Sequence, residues 1–297
     1  MEKLYFVPAR ELKRIRDVEK SLCNPYLFCA LVSTAAQINA LYIIQRMGDA
    51  MHGNPIFNMA DVATWLWTNA LKNPHGLDDS TDTMSDSYFL PATAVPLWHS
   101  LLAVLGYCNL EDFSTARDAY DSLGCGANIS EVCVKVLANR LSKKVGRMYV
   151  ILENEEIQGE QTWELFRHIA EEKFLEITVV VTNAKPPSRM CPREINELGK
   201  LPFRFHALGW EVAECDGNNF KAIDLSISSI LFDSNHQSFG KPQVLVAHTA
   251  NDVCSPYLHA VQKLYWYLNR AVSAAGLGRV RLQIFPGDVL PRREGAY

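Results

Sequence analysis

The second half of the chain alternates short runs of aliphatic and β-branched residues with longer amphipathic segments. The short runs predict strands at residues 147–152, 177–182, 211–214 and 243–247. The segments between them predict helices at about residues 160–173, 195–208 and 220–232. The run Val179-Val180-Val181 is apolar at consecutive positions, which is typical of strands covered on both faces of a parallel sheet. The alternation therefore predicts a doubly wound, mostly parallel α/β sheet flanked by helices.

The carboxyl ends of these strands are the expected place for a site. In a doubly wound sheet the ligand crevice lies beyond the carboxyl ends of the strands. The segments that follow Leu152, Thr182, Glu214 and Ala247 are therefore expected to surround any ligand.

The first half of the chain has a helical pattern that polar segments interrupt. Helices are predicted at residues 18–47, 59–67 and 95–105. A loop rich in glycine and proline separates the first two helices, and an exposed polar loop is predicted after the second helix, at residues 73–86. A short buried segment is expected at residues 88–90, and a C-terminal helix and tail at residues 256–297. The length of 297 residues fits one large α/β domain or two small ones, and we expect a single domain over residues 1–297.

Composition excludes several classes of protein. With 48% hydrophobic and 21% charged residues, the chain has the composition of an ordinary globular protein and not of a disordered or fibrous one. The net charge of -4 and the interspersed basic residues argue against a nucleic-acid binder, which usually carries a basic stripe. The eight cysteines are scattered without a CxxC pair, so we expect reduced thiols and not zinc ligands or disulfides.

No membrane segment is expected from the sequence. The N-terminus carries acids early and has no apolar stretch long enough for a signal peptide. The longest apolar-leaning stretch, residues 27–44, is interrupted by Ser33, Thr34, Gln37 and Asn39. These interruptions leave it short of the roughly 20 apolar residues that a spanning helix requires. The protein is therefore expected in the cytoplasm.

Four short motifs follow one another along the chain. They are Ser122-Leu123-Gly124-Cys125-Gly126, Gln161-Thr162-Trp163-Glu164, Leu208-Gly209-Trp210-Glu211-Val212 with Asp216-Gly217, and Ala247-His248-Thr249. In this order and spacing they resemble the N-terminal, diphosphate-binding domain of transketolases, over about residues 30–255. The resemblance implies the thiamine-diphosphate-binding fold of the transketolase type. It also implies Gly124 and Gly126 as cofactor-binding residues, because they match the family's L-G-Q-G turn.

The segment Glu153-Asn154-Glu155 stands where transketolases have a Gly-Asp-Gly triplet. In the family the Asp binds Mg²⁺ through oxygen and the glycines let backbone amides approach the diphosphate. The resemblance therefore implies Glu153, Asn154 and Glu155 at the cofactor, with Asn154 as a metal ligand. Here both glycines are replaced, the Asp is an amide, and Glu156 adds a carboxylate. Two unit charges about 4 Å apart repel by about 4 kcal/mol at a dielectric of about 20, so we expect customary diphosphate binding to fail.

The remaining family residues are only partly preserved. The second protein ligand of Mg²⁺ in the family is an Asn after the next strand. The alignment puts Ala184 there, and Asn183 serves only if the alignment slips by one residue. His52 matches the histidine of the family's G-H-P segment, and His248 matches that of its A-H-T segment. Both are candidate catalytic residues, and each also fits a structural role.

The resemblance further implies a partner subunit. In transketolases a Glu of the pyrimidine-binding domain generates the reactive ylid across a dimer interface, and the resemblance here does not extend to that domain. We therefore expect a hetero-oligomer with a chain that carries the pyrimidine-binding and C-terminal domains. Thiamine diphosphate and Mg²⁺ are expected only with that partner or in an altered binding mode, or not at all. The apolar helices at residues 27–47 and 95–105 are the candidates for the partner surface.

Three functions remain open at this point. The first is a subunit of a split transketolase-like enzyme that transfers two-carbon ketol or acyl groups. The second is a non-catalytic transketolase-like subunit that stabilises or regulates such a partner. The third is a new activity in which the carboxylates of residues 153–156 bind a metal or another cation, because carboxylate clusters favour hard cations.

Overall fold

A computed structural model gives the structure of the chain. It describes residues 4–19, 22, 24–47, 54–71, 86–112, 129–144, 146–154, 156–184, 201–231, 240–249 and 257–285. The Cα positions divide into two compact units. The first unit comprises Met1–Ala60, Thr93–Asp118 and Asp252–Tyr297, and the second comprises Asp61–Ala92 and Ala119–Asn251. The single domain over residues 1–297 stays a prediction.

The described residues form helices and strands in the following order. The α-helices are α1 (Ala9–Val18), α2 (Pro25–Met47), α3 (Asn54–Trp65), α4 (Val95–Leu105), α5 (Ile129–Leu141), α6 (Glu160–Glu171), α7 (Leu201–Ala207), α8 (Phe220–Leu231) and α9 (Tyr257–Ala274). The strands are β1 (Leu4–Phe6), β2 (Ser87–Phe89), β3 (Met148–Glu153), β4 (Ile177–Ala184), β5 (Glu211–Asp216), β6 (Gln243–Thr249) and β7 (Gln283–Phe285). A π-helical turn, Leu66–Ala70, extends α3, and the short 3-10 helices Ala92–Ala94 and Leu110–Asp112 flank α4.

Five parallel strands form the sheet of the second unit, in the order β2-β3-β4-β6-β5. The four predicted strands are present as β3, β4, β5 and β6, with ends shifted by one or two residues. The expected buried segment at residues 88–90 overlaps the edge strand β2. The prediction of a mostly parallel α/β sheet flanked by helices is confirmed.

Strand β4 lies in the middle of the sheet and is buried on both faces. The side chains of Val179, Val180 and Val181 are each 0% exposed. Burying one valine side chain contributes roughly 1.5–3 kcal/mol, which explains why consecutive apolar positions are stable here. On one face these strands pack with Phe166 and Trp210, and the indole Nε1 of Trp210 donates to the carbonyl oxygen of Phe166 at 3.0 Å. The central strands therefore form a rigid base for the residues at their carboxyl ends.

In the first unit, helix α2 is buried around most of its circumference. Its polar side chains bond locally: Thr34 Oγ1 donates to Ala30 O at 2.7 Å, and Gln37 Nε2 donates to Ser33 Oγ at 3.0 Å. Asn39 Oδ1 accepts from the backbone nitrogen of residue 7 at 2.8 Å. These bonds engage polar groups inside an apolar environment, so the polar residues do not interrupt the helix, although Asn39 Nδ2 has no hydrogen-bond partner among the described residues.

This continuous helix corrects the expectation that no segment reaches membrane length. Among the described helices, Pro25–Arg46 is long and apolar enough to span a membrane by length and composition, with a mean hydropathy of 1.8. Inside the structure 78% of that window is buried. A helix that is apolar on all sides and buried by its own chain has the character of a core helix.

The helices proposed as a partner surface have little apolar surface left to offer. The apolar side chains of α2 and α4 are mostly buried in the chain itself, so the expectation that they form a dimer surface is not supported. Large apolar side chains are exposed elsewhere: Val134, Leu137 and Leu141 on α5, Phe203 on α7, Leu225 on α8, and Trp266 and Tyr267 on α9.

Gly217 follows β5 at a point where the chain passes close to β6. Its backbone nitrogen donates to His248 O at 2.8 Å. A Cβ at this position would lie 2.7 Å from Thr249 Cγ2 and 3.1 Å from Ala247 Cβ. A side chain therefore cannot be added without moving β5 away from β6.

We predict that Gly217→Ala lowers the free energy of unfolding by about 1–3 kcal/mol, because overpacking forces the backbone to shift. Gly159→Ala is the matched control, since a Cβ there would meet only Thr162 Oγ1 at 3.8 Å. Urea unfolding measures both variants. Equal stability of the two variants would contradict the close approach at Gly217.

Candidate functional site

The strand register brings four polar residues into a row across the carboxyl edge of the sheet. Asn183 of β4 lies opposite His248 of β6, and His248 lies opposite Asp216 of β5. On the other side, Glu153 of β3 lies opposite residue 182, so Asn154 follows beside Asn183. We call Asn154, Asn183, His248 and Asp216 the carboxyl-edge row.

The carboxyl-edge row continues one face of the sheet. Side chains alternate along a strand, so residues two positions apart share a face. Two positions before Asn154, Asn183 and His248 stand Leu152, Val181 and Val246, which all belong to the hydrophobic core of the second unit. The row therefore begins where this core ends.

His248 is held between two side chains of the neighbouring strands. Its Nε2 lies 2.9 Å from Glu214 Oε2, and its Nδ1 lies 3.3 Å from Asn183 Nδ2. In the neutral ring, Nε2–H donates to the Glu214 carboxylate and Nδ1 accepts from the Asn183 amide. The side chains of His248 and Glu214 are 42% and 51% exposed, so this pair adds little stability. Its main effect is to orient the imidazole.

Asn183 carries an unsatisfied acceptor at the centre of the row. The residue is 7% exposed, and its Oδ1 has no hydrogen-bond partner among the described residues. A buried polar atom without a partner costs about 1–3 kcal/mol. Such a cost is offset when a ligand donates to the atom or a cation binds it.

The turn after β3 is closed by its own side chains. The Glu153 amide nitrogen donates to Glu156 Oε2 at 2.8 Å, and the Glu156 nitrogen donates to Glu153 O at 3.0 Å. Gln158 Nε2 donates to Asn154 O at 3.2 Å, and it lies 3.5 Å from Asn154 Oδ1. A carboxylate of the chain therefore already accepts a backbone N–H of this turn.

The turn after β5 is also organised by its own side chain. The Asp216 carboxylate accepts from the backbone nitrogen of Asn218 at 3.0 Å, and Asn218 Nδ2 donates to Asp61 Oδ2 at 3.2 Å. This local bond is an Asx turn, which fixes the backbone two residues on. Asp216 thus positions the close approach of Gly217 to β6.

The described residues do not fit a magnesium diphosphate bound in the customary way. Asn154 and Asn183 offer neutral amide oxygens where a Mg²⁺ ion bound to protein usually meets at least one carboxylate. The Glu153 amide is engaged by Glu156, whose charge opposes an incoming phosphate. Within the described part of the chain, no group of three or more His, Cys, Asp or Glu residues could hold a metal ion.

The structure describes some of the predicted site residues and not others. It brings Asn154, Asn183 and His248 together, and Glu153 precedes Asn154 at the end of β3. The remaining predicted residues, His52, Gly124, Gly126 and Glu155, lie outside the described residues. The last register pair of β3 and β4 is Glu153 with residue 182, and the choice between Asn183 and Ala184 as a metal ligand stays a prediction.

The sequence pattern does not indicate Glu214 as a site residue. It places Glu214 at the end of a predicted strand, whereas the structure shows that its carboxylate orients His248. The available signal was the alternation of side chains along a strand, which puts the carboxylates of Glu214 and Asp216 on the same face of β5. The pattern alone does not reveal the contact, since it depends on which strand lies beside β5.

Comparisons with known proteins support the fold. No protein-family model matches the sequence, and a search of curated proteins finds no match. Among solved structures, the transketolase from Campylobacter jejuni matches with a TM-score of 0.60 and 15% identity, over 87% of this chain and 44% of that chain. A transketolase from Pichia stipitis, solved with xylulose 5-phosphate, matches with a TM-score of 0.60 and 15% identity, over 86% of this chain and 42% of that chain. The transketolase from Leishmania mexicana matches with a TM-score of 0.55 and 15% identity, over 85% of this chain and 42% of that chain.

These similarities concern the architecture of the chain. At 15% identity they carry no residue-level assignment. The chain spans less than half the length of each of these transketolases. The chain therefore has a transketolase-like α/β fold.

Proposed function

We propose that this chain is one subunit of a split, hetero-oligomeric transketolase-like enzyme. A partner chain with the pyrimidine-binding domain joins it at the carboxyl edge of the sheet and supplies the groups that this chain lacks. The assembly transfers two-carbon ketol or acyl groups, and this chain is inactive alone. Any thiamine diphosphate is held mainly by the partner or in an altered pose.

The carboxyl-edge row is the observation that carries this proposal. Asn183 has a buried oxygen without a partner, and it lies next to an imidazole that Glu214 and Asn183 hold in one orientation. The unpaired atom costs about 1–3 kcal/mol, and a ligand that donates a hydrogen bond to it would offset this cost. The open Asn183 Oδ1 is suited to accept a hydrogen bond from a hydroxyl group of a sugar-like substrate.

A second candidate is a non-catalytic subunit that stabilises or regulates a competent partner. The bond between the Glu153 amide and the Glu156 carboxylate favours it, because this bond closes the turn against a diphosphate. In this alternative the transketolase-like fold serves only to form the interface. The two candidates share the partner and differ in whether the complex binds the cofactor.

We predict that the isolated chain binds thiamine diphosphate with Mg²⁺ weakly, with a dissociation constant above about 1 mM, which corresponds to less than about 4 kcal/mol of binding free energy. Isothermal titration of the chain, alone and mixed with a pyrimidine-domain chain from the same genome, measures this. Saturable cofactor binding by the mixture supports the split enzyme. A stable complex that binds no cofactor supports the non-catalytic subunit.

Two further outcomes of that titration contradict the proposal. If no complex forms with any pyrimidine-domain chain of the genome, the split assembly is wrong. If Mg²⁺ or Mn²⁺ alone binds tightly to the isolated chain, the split-enzyme proposal is replaced by the third function, a new cation site at residues 153–156. A titration of the metal without the cofactor separates these cases.

We predict that Glu156→Ala raises the affinity of the chain for magnesium pyrophosphate by about tenfold, which corresponds to about 1.4 kcal/mol. The substitution releases the Glu153 amide and removes a negative charge from the turn. Glu160→Ala is the control, because it removes an exposed carboxylate four residues away that makes no bond to the turn in the described structure. Equal changes in both variants would show that only net charge matters, and would contradict the role given to Glu156.

A further inference from the structure

A thiol and an imidazole meet where α4 ends, in the first unit. Gly106 has the left-handed φ of 92°, and the backbone nitrogens of Gly106 and Tyr107 both donate to Leu102 O at 2.9 Å. This turn directs the chain back along the helix. It brings Cys108 Sγ to 3.8 Å from His99 Nδ1 and to 3.7 Å from His99 O. These atoms belong to neither the carboxyl-edge row nor the sheet.

The hydrogen bonds of His99 define which ring nitrogen carries the proton. Its Nε2 lies 3.0 Å from Asn109 O and 3.3 Å from Leu110 O. Because a carbonyl oxygen only accepts, Nε2 must be the donor. In the neutral ring the lone pair is then on Nδ1, on the side of the Cys108 thiol. A nucleophile next to a base that a third group orients is the general arrangement of an activated thiol.

The surroundings favour a neutral His99 at pH 7. Burial lowers the pKa of His99 below its ordinary value, and the carbonyls of Leu110 and Asn109 and the charge of Asp112 offset part of this effect. A neutral imidazole is the form that can accept a proton.

Two other thiols in the described part of the chain have a different environment. Burial raises the pKa of Cys133 to about 11. Burial, with a smaller effect from Asp216, raises the pKa of Cys215 to about 12. Such thiols remain protonated and inert. Cys108 is half-buried and faces an imidazole instead.

We propose that Cys108 is a site of oxidation by hydroperoxides and that His99 is the base that takes the thiol proton. The Sγ proton moves to His99 Nδ1, and the sulfur attacks the terminal oxygen of the peroxide. An S–O bond forms, the O–O bond breaks, and the leaving alkoxide or hydroxide takes the proton from His99. Cys108 is oxidised to the sulfenic acid, and the peroxide is reduced to an alcohol or water.

The test uses the whole chain treated with hydrogen peroxide, with the sulfenic acid trapped by dimedone and located by peptide mass spectrometry. We expect Cys108 to be labelled at least about tenfold faster than Cys133 and Cys215, since reactivity follows thiolate character. Exposure alone also favours Cys108, so the pH profile of its alkylation by iodoacetamide is the deciding measurement. Its midpoint is expected below about 8.5, the value for an ordinary cysteine.

His99→Gln tests the base directly. The glutamine amide still donates toward Asn109 O but has no basic nitrogen, so the midpoint is expected to rise and the rate at pH 7 to fall by about tenfold. His168→Gln, on the exposed surface of α6, is the matched control and is expected to change neither quantity. Circular dichroism establishes that both variants are folded.

Three results would overturn the proposal. The first is a midpoint of the Cys108 alkylation profile, in the wild-type chain, at or above that of an ordinary cysteine. This measurement remains informative even if His99→Gln does not fold. The second is an unchanged rate and midpoint in a folded His99→Gln variant. A slow Cys108 that reacts no faster than Cys133 would also end it.

Discussion

The parallel register of β3, β4, β6 and β5 is the constraint on which the site depends. It decides that Asn154, Asn183 and His248 meet at one edge, because each follows the last apolar residue on the same face of its strand. The strands themselves are held by buried valines, so their ends move little. Whatever binds at this edge meets a fixed set of amide, imidazole and carboxylate groups.

Charge at the end of β3 then determines what this edge can accept. In a turn that binds phosphate, backbone N–H groups are open to an anion, whereas here the Glu153 amide bonds to the chain's own Glu156. The neighbouring Asn183 offers an unpaired acceptor instead. The edge is therefore better suited to groups that donate hydrogen bonds than to a diphosphate.

The sequence predicted the sheet well and the site only in part. Valine-rich runs identify strands such as β4 because a strand buried on both faces is typically apolar at consecutive positions. The bond from Glu214 to His248 could not be read in the same way, since it requires the order β6-β5 of the sheet. For α2, the count of polar residues was misleading because the Gln37 amide donates within the helix and Asn39 Oδ1 accepts from the backbone nitrogen of residue 7. The contact between Cys108 and His99 depends on the left-handed Gly106, which periodicity does not reveal.

A crystal structure of the isolated chain grown with thiamine diphosphate and Mg²⁺ tests the central claim most directly. We expect the Glu156 carboxylate to remain bonded to the Glu153 amide, with no diphosphate against this turn. A diphosphate and a Mg²⁺ ion seated against Glu153 and Asn154, with Glu156 displaced, would contradict the account.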